Sequence, residues 1–143
     1  MDETGSEADV LTALGETLRD VETVEFAVVF GSQVSGDATD ASDLDLAVKF
    51  ADNLSANERF HERCRLAGAL QRDDRPFVDV SDVEALPLEV AHDAVSGRLV
   101  CGDRRAFEAF EREIEARFAD EREDLRTRRQ RVIDRIAEEG LRG

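Results

Sequence analysis

The sequence predicts an α/β (α+β) chain, in which about four short strands form a small sheet with helices packed on it and a C-terminal helical extension follows. Three observations carry this reading. Apolar residues alternate with others along 43–50, and a β-rich apolar run occupies 24–30. Helical stripes with a period near 3.6 appear at 8–20, 56–72 and from Arg104 onward. Cap and turn residues lie between these runs.

The first helix is expected over 8–20, with Val10, Leu11, Leu14, Leu18 and Val21 on one face. Strands are expected at 24–30 and 43–50. A second helix, 56–72, opens on Ser55-Ala56-Asn57-Glu58, a capping-box pattern in which serine and glutamate satisfy each other's exposed backbone N–H groups. Phe60, Cys64, Ala67 and Leu70 are its expected core stripe. Pro76 opens a third strand that runs through Val80. Pro87 suits the first turn of a short helix reaching Val95, and Gly97 ends it. A fourth strand covers 98–101. From Arg104 the pattern is helical, and Phe107, Phe110, Ile114 and Phe118 form a stripe suited to covering the sheet. His61 and His92 each fall on a helix without a partner pattern and are expected at the surface or core edge.

Length and composition bound the rest. At 143 residues the chain suits one domain, 1–143, with a core over about 20–102 and a helical segment over 103–143. With 41% hydrophobic residues it is a globular composition. No apolar run has the length of a membrane span, and Met1-Asp2-Glu3 is unlike a secretory signal, so the expected location is cytoplasmic. Cys64 and Cys101 lie in apolar contexts and are expected as buried, reduced thiols; no Cys/His cluster has zinc spacing. There are 34 acidic against 19 basic residues, a net charge of −15, and Lys49 is the sole lysine. With such a surface no direct binding to nucleic acid is expected, because gripping a phosphate backbone needs a basic surface. It resembles the surfaces of proteins from halophilic archaea, in which molar salt screens self-repulsion. The charge is uneven: residues 1–100 carry a net −14, and 101–143 a net −1.

The chemistry-bearing stretch is 30–49, FGSQVSGDATDASDLDLAVK. An apolar strand ends in Gly31-Ser32, and ten residues later come Asp43 and Asp45. Because Leu44, Leu46, Val48 and Phe50 alternate with the others, Asp43 and Asp45 should project together from the opposite face, roughly 7 Å apart at their Cα atoms. Carboxylates that close repel each other, and a divalent cation with hard oxygen ligands, such as Mg²⁺, removes that cost. The plainer reading is a solvated strand edge in an acidic protein. Gly31 permits close backbone approach, and a helix started at Ser32 and running through Val34 would offer free N–H groups to an anion. A third acid, Asp79, lies in the later run Phe77-Val78-Asp79-Val80. Asp82 is its rival, but Phe77, Asp79 and Ser81 share a strand face and Asp82 falls opposite.

Glycine-serine, ten residues, DxD and a third strand aspartate together resemble the nucleotidyltransferase superfamily that includes DNA polymerase β, and the short chain resembles its minimal branch, the MNT proteins. The likeness spans about residues 20–120. It implies a mixed sheet of the polymerase β-like type, with Asp43, Asp45 and Asp79 as catalytic residues holding two Mg²⁺ ions. It implies also that Gly31 and Ser32 bind the phosphates of ATP, and that AMP moves to a hydroxyl. MNT proteins often serve as antitoxins, so the implied acceptor is a tyrosine of a HEPN ribonuclease toxin. One departure is Ser35, where the family often carries an arginine before the second glycine of this loop. The alternative is a non-catalytic antitoxin that binds and masks its toxin. The chain contains no tyrosine, which excludes automodification on that residue.

The tail leaves two readings open. Beyond Phe118 the stripe thins to Leu125, Val132, Ile133 and Ile136, set among Arg126, Arg128, Arg129 and Arg131. This is either a solvated helix with internal i,i+4 pairs or a helix through which the chain docks on a partner or another copy.

Overall fold

The computed structural model describes residues 7–31, 43–73 and 76–142. Its elements follow in the order α1 (Glu7–Arg19), β1 (Val24–Phe30), β2 (Leu44–Phe50), α2 (Ala56–Ala69), β3 (Val78–Asp82), a 3₁₀ turn (Val83–Ala85), α3 (Leu88–Val95), β4 (Arg98–Gly102) and α4 (Arg104–Arg142). The sheet order is β3-β2-β1-β4. β1 pairs antiparallel with both β2 and β4, whereas β2 and β3 run parallel, so the sheet is mixed. A parallel pair needs a crossover, and α2 supplies it.

Strand alternation gives the sheet two apolar faces. One carries Ala27, Val29, Leu46, Val48, Phe50 and Val80, on which α1 lays Leu11, Leu14 and Leu18 and α2 lays Leu66 and Leu70. The other carries Phe26 and Val28 beneath Ala91 and Val95 of α3 and Phe107 and Ile114 of α4. Leu14, Leu46 and Phe50 are fully buried, each worth about 1.5–3 kcal/mol in area removed from water. Phe26 anchors the second layer edge-on to Phe107, with ring centroids 5.5 Å apart. Gly15 lets α1 approach β4 closely, because a Cβ there would come 2.4 Å from the Val100 carbonyl oxygen.

The capping box is present: Glu58 N–H donates to Ser55 Oγ at 3.1 Å, and Ser55 N–H to Glu58 Oε1 at 2.8 Å. The face that α2 buries differs from the expected one. Leu66 and Leu70 point inward, whereas Phe60 is 52% exposed and Cys64 is exposed rather than buried. The helix is rotated because Arg59 and Arg63 reach across to β3, the first bonding the Asp82 carboxylate at 2.8 Å and the second the Val80 carbonyl. Their aliphatic stems cover apolar surface that shorter side chains would leave open. Cys101 is partly buried, and burial pushes its thiol pKa up. β3 extends to Asp82, and Pro87 is the residue before α3, not its first helical one. Along the outer edge of β3, Gln71 stands in for a strand: its side-chain oxygen accepts from Val78 N–H and its amide donates to the Val78 carbonyl, both at 3.0 Å.

Lys49, 8% exposed, lies at the far end of β2. Its ammonium bonds Asp52 at 2.8 Å and pairs with Glu25 at 3.2 Å and Glu84 at 3.4 Å. Burial works against its charge, but the hydrogen bonds to Asp52 and Glu25 and the charge of Glu84 outweigh that and raise its pKa. His92 does have a partner: Nε2 lies 3.0 Å from Glu115 Oε1, and its ring stacks on Phe118 with centroids 3.8 Å apart. Those contacts are near the last that α4 makes with the body. Residues 119–140 are all exposed.

Candidate active site

Three strand ends build the candidate site. β1 delivers Gly31 just past Phe30, β2 delivers Asp43 and Asp45, and β3 delivers Asp79. Phe30 pairs with Asp45, and Asp45 pairs with Asp79 in the parallel ladder. Neighbouring strands lie about 4.8 Å apart, so Asp45 and Asp79 stand side by side on one face. Asp43 lies one step beyond β2 and is exposed. The register that aligns them follows from burial: Leu44, Leu46, Val78 and Val80 face the α1–α2 layer, which sends Asp45 and Asp79 to the opposite side.

Electrostatics record the convergence. The Asp45 carboxyl is held above its ordinary 3.8, first by burial, then by the negative charges of Asp79 and Asp43. Gly31 lies against the same carboxylate. Its φ is +88°, a conformation glycine adopts without strain, and a Cβ would come 2.7 Å from Asp45 Oδ2. Gly31 therefore brings bare backbone to the acids. Ser32 and Ser35, and the short helix expected after Ser32, lie outside the described residues.

Asp82 belongs to the other face. It is 8% exposed, accepts from Arg59 Nε at 2.8 Å and from Glu84 N–H at 3.0 Å, and so holds the 3₁₀ turn and α2 in place. A cavity of about 440 Å³ opens at the opposite end of β2, lined by Lys49, Glu84, Leu88, Phe110 and Ile114 among others, away from Asp43, Asp45 and Asp79. It is not the site of the acids. Among the described residues no group of three or more His, Cys, Asp or Glu side chains is drawn tightly enough to hold a metal ion. The donor set nonetheless fits a hard divalent cation in kind: Asp79 and Asp43 crowd negative charge onto Asp45, and a cation among the three removes that repulsion.

Sequence reasoning missed Lys49 and Phe77. Lys49 as the sole lysine in a strand was a signal for a structural charge. Phe77, 56% exposed, shares the face of Asp79 two residues on.

A mixed four-stranded sheet with helices on both faces, carrying carboxylates on two adjacent strands beside a glycine turn, defines a nucleotidyltransferase-type domain. The family model described as Polymerase beta, Nucleotidyltransferase matches residues 13–106, and the chain belongs to that family. It is similar to a chain of a toxin–antitoxin crystal structure with AMP-PNP, at 25% identity over 92% of this chain and 98% of that one, with a TM-score of 0.60. A point mutant of the toxin–antitoxin MntA–HpeT is similar at 26% identity over 93% and 98%, with a TM-score of 0.58. The fold is shared too with the complex of tri-AMPylated Shewanella oneidensis HEPN toxin and MNT antitoxin, at 22% identity over 92% and 98%, with a TM-score of 0.58. No curated protein matches the chain. Among the described residues no helix is long and apolar enough to cross a membrane.

Proposed function

We propose that this chain is an Mg²⁺-dependent nucleotidyltransferase that moves AMP from ATP to a hydroxyl, the acceptor being a tyrosine of a HEPN toxin that it silences. The observation that carries the reading is the register that sets Asp45 beside Asp79, with Gly31 against Asp45, in a chain of the polymerase β family. The neighbours add support: one was crystallised with AMP-PNP, and another holds an AMPylated HEPN toxin.

In this proposal Asp43, Asp45 and Asp79 hold Mg²⁺, two ions in all. When bound, the metal draws charge from the triphosphate oxygens and lowers the pKa of the attacking hydroxyl. The backbone at Gly31, with Ser32 next in sequence, receives the triphosphate. The acceptor oxygen bonds to the α-phosphorus as the bond from that phosphorus to the α,β-bridging oxygen breaks, and pyrophosphate leaves. Asp79 takes the hydroxyl proton. Residues 119–140 of α4, exposed along their whole length, offer the surface for the toxin.

The test is the intact mass of the protein encoded beside this one after incubation with this chain, ATP and Mg²⁺. Wild type should add the mass of one or more AMP groups, and Asp43→Asn with Asp45→Asn should lower transfer at least about a hundredfold. A stable complex without any added mass would instead favour an antitoxin that masks its toxin by binding.

A further inference from the structure

Six large apolar side chains stand half or more exposed among the described residues, and four of them lie on distal α4. Of the other two, Phe60 is partly covered by the Arg63 guanidinium, 5.2 Å from its ring centroid. Phe77 is the remaining one, 56% exposed. Its ring is bare although its backbone is fixed. The Phe77 carbonyl accepts from Leu44 N–H at 2.8 Å, and the next residue, Val78, is held on its outer side by Gln71.

Register gives the ring its neighbours. Leu44 pairs with Val78 and Asp45 with Asp79, so the next step outward sets Phe77 beside Asp43. Alternation puts Phe77 and Asp79 on one face, about 7 Å apart at Cα, with Asp43 about 5 Å across the sheet. Gly31 lies on the other flank of the acids, since Phe30 pairs with Asp45 from β1. The order across the sheet is thus Gly31, Asp43 and Asp45, then Asp79 and Phe77. β3 is the edge strand, so among the described residues no further strand lies beyond Phe77.

In an in-line displacement the attacking group enters opposite the leaving group. Pyrophosphate departing toward Gly31 puts the acceptor on the β3 side. We propose that Phe77 and Asp79 form an acceptor subsite for a phenolic side chain, the aromatic ring stacking on Phe77 with its hydroxyl toward the Asp79 carboxylate. The inference rests on the nucleotidyltransferase reading, including its tyrosine acceptor, and adds to it the residue that positions that acceptor. Phe77 is a positioning residue here. An aliphatic hydroxyl would gain nothing from the ring, whereas a phenol gains both stacking and orientation.

The chain has neither tyrosine nor tryptophan, so the emission of a tyrosine peptide reports its binding without background. The probe is Gly-Gly-Tyr-Gly-Gly, titrated up to millimolar concentration without nucleotide, with AMP-PNP and Mg²⁺ titrated in parallel. Phe77→Ala, at so exposed a position, should stay folded. It should weaken the peptide roughly three- to tenfold, Phe77→Leu should weaken it nearly as much, and AMP-PNP affinity should stay within twofold. Failure of wild type to bind the peptide, or equal binding by Phe77→Ala, overturns the subsite. Weakened AMP-PNP with unchanged peptide binding assigns the ring to the nucleotide base and overturns it too. Absence of AMP-PNP binding in every variant defeats the nucleotidyltransferase reading, while the nucleotide-free peptide titration still decides the subsite.

Discussion

Asp45 carries the cost of the site in its own ionisation. Burial raises its pKa above 3.8, and Asp79 and Asp43 raise it further, so the folded chain holds that proton more tightly than the unfolded chain does. The stability tied to this proton is fully present below the unfolded pKa and is lost as pH rises through the folded one. At neutral pH the ionised carboxylate therefore opposes folding. Asp45→Asn should raise thermal stability at pH 7 in EDTA by up to about 1 kcal/mol, solvent screening included, and give no gain at pH 3. Mg²⁺ should raise the melting temperature of wild type and leave the variant much less affected, because only binding to the folded state stabilises. Thermal unfolding at both pH values, with and without Mg²⁺, checks this; equal destabilisation at pH 7 and pH 3 counts against it.

Helices and strands were legible in the sequence to different depths. The Leu44–Phe50 alternation fixed β2 and the direction of Asp45, and α1 buries the residues its stripe marks. α2 was legible in position but not in rotation. Its inward face depends on Arg59 and Arg63 reaching β3, a long-range pairing that local periodicity does not encode. Parallel pairing of β3 with β2, which brings Asp79 to Asp45, likewise rests on contacts across the fold. The tail was legible as a thinning stripe. α4 extends for 39 residues, about 58 Å, yet its apolar side chains beyond Phe118 stay exposed. A chain ending after Ala119 should keep its fold within about 1 kcal/mol, since exposed positions contribute little, and should lose its complex with the proposed toxin. Size-exclusion of the mixture and thermal unfolding check both halves. A loss above about 3 kcal/mol would mean that the tail packs on its own domain.

Across the whole molecule, charge is the property that the fold leaves least compensated. The net −15 is concentrated in residues 1–100, whose net −14 lies on the same part of the chain as the clustered acids. Ion pairs offset little of it: Lys49 is spent in an internal cluster with Glu25, Asp52 and Glu84, and Arg59 on Asp82. The remaining acids repel through solvent, and that repulsion is long-ranged only in dilute salt, with a Debye length of about 10 Å at 0.1 M and about 3 Å at 1 M. Self-repulsion on this scale destabilises a compact state. The melting temperature should therefore climb by several degrees between 0.1 and 2 M KCl, most steeply below about 1 M, where screening changes fastest. The Asp45→Asn variant should climb slightly less, having lost one member of the cluster. A melting temperature independent of KCl would mean that the surface acids are too dispersed to act together, and would remove the case for adaptation to a salt-rich environment.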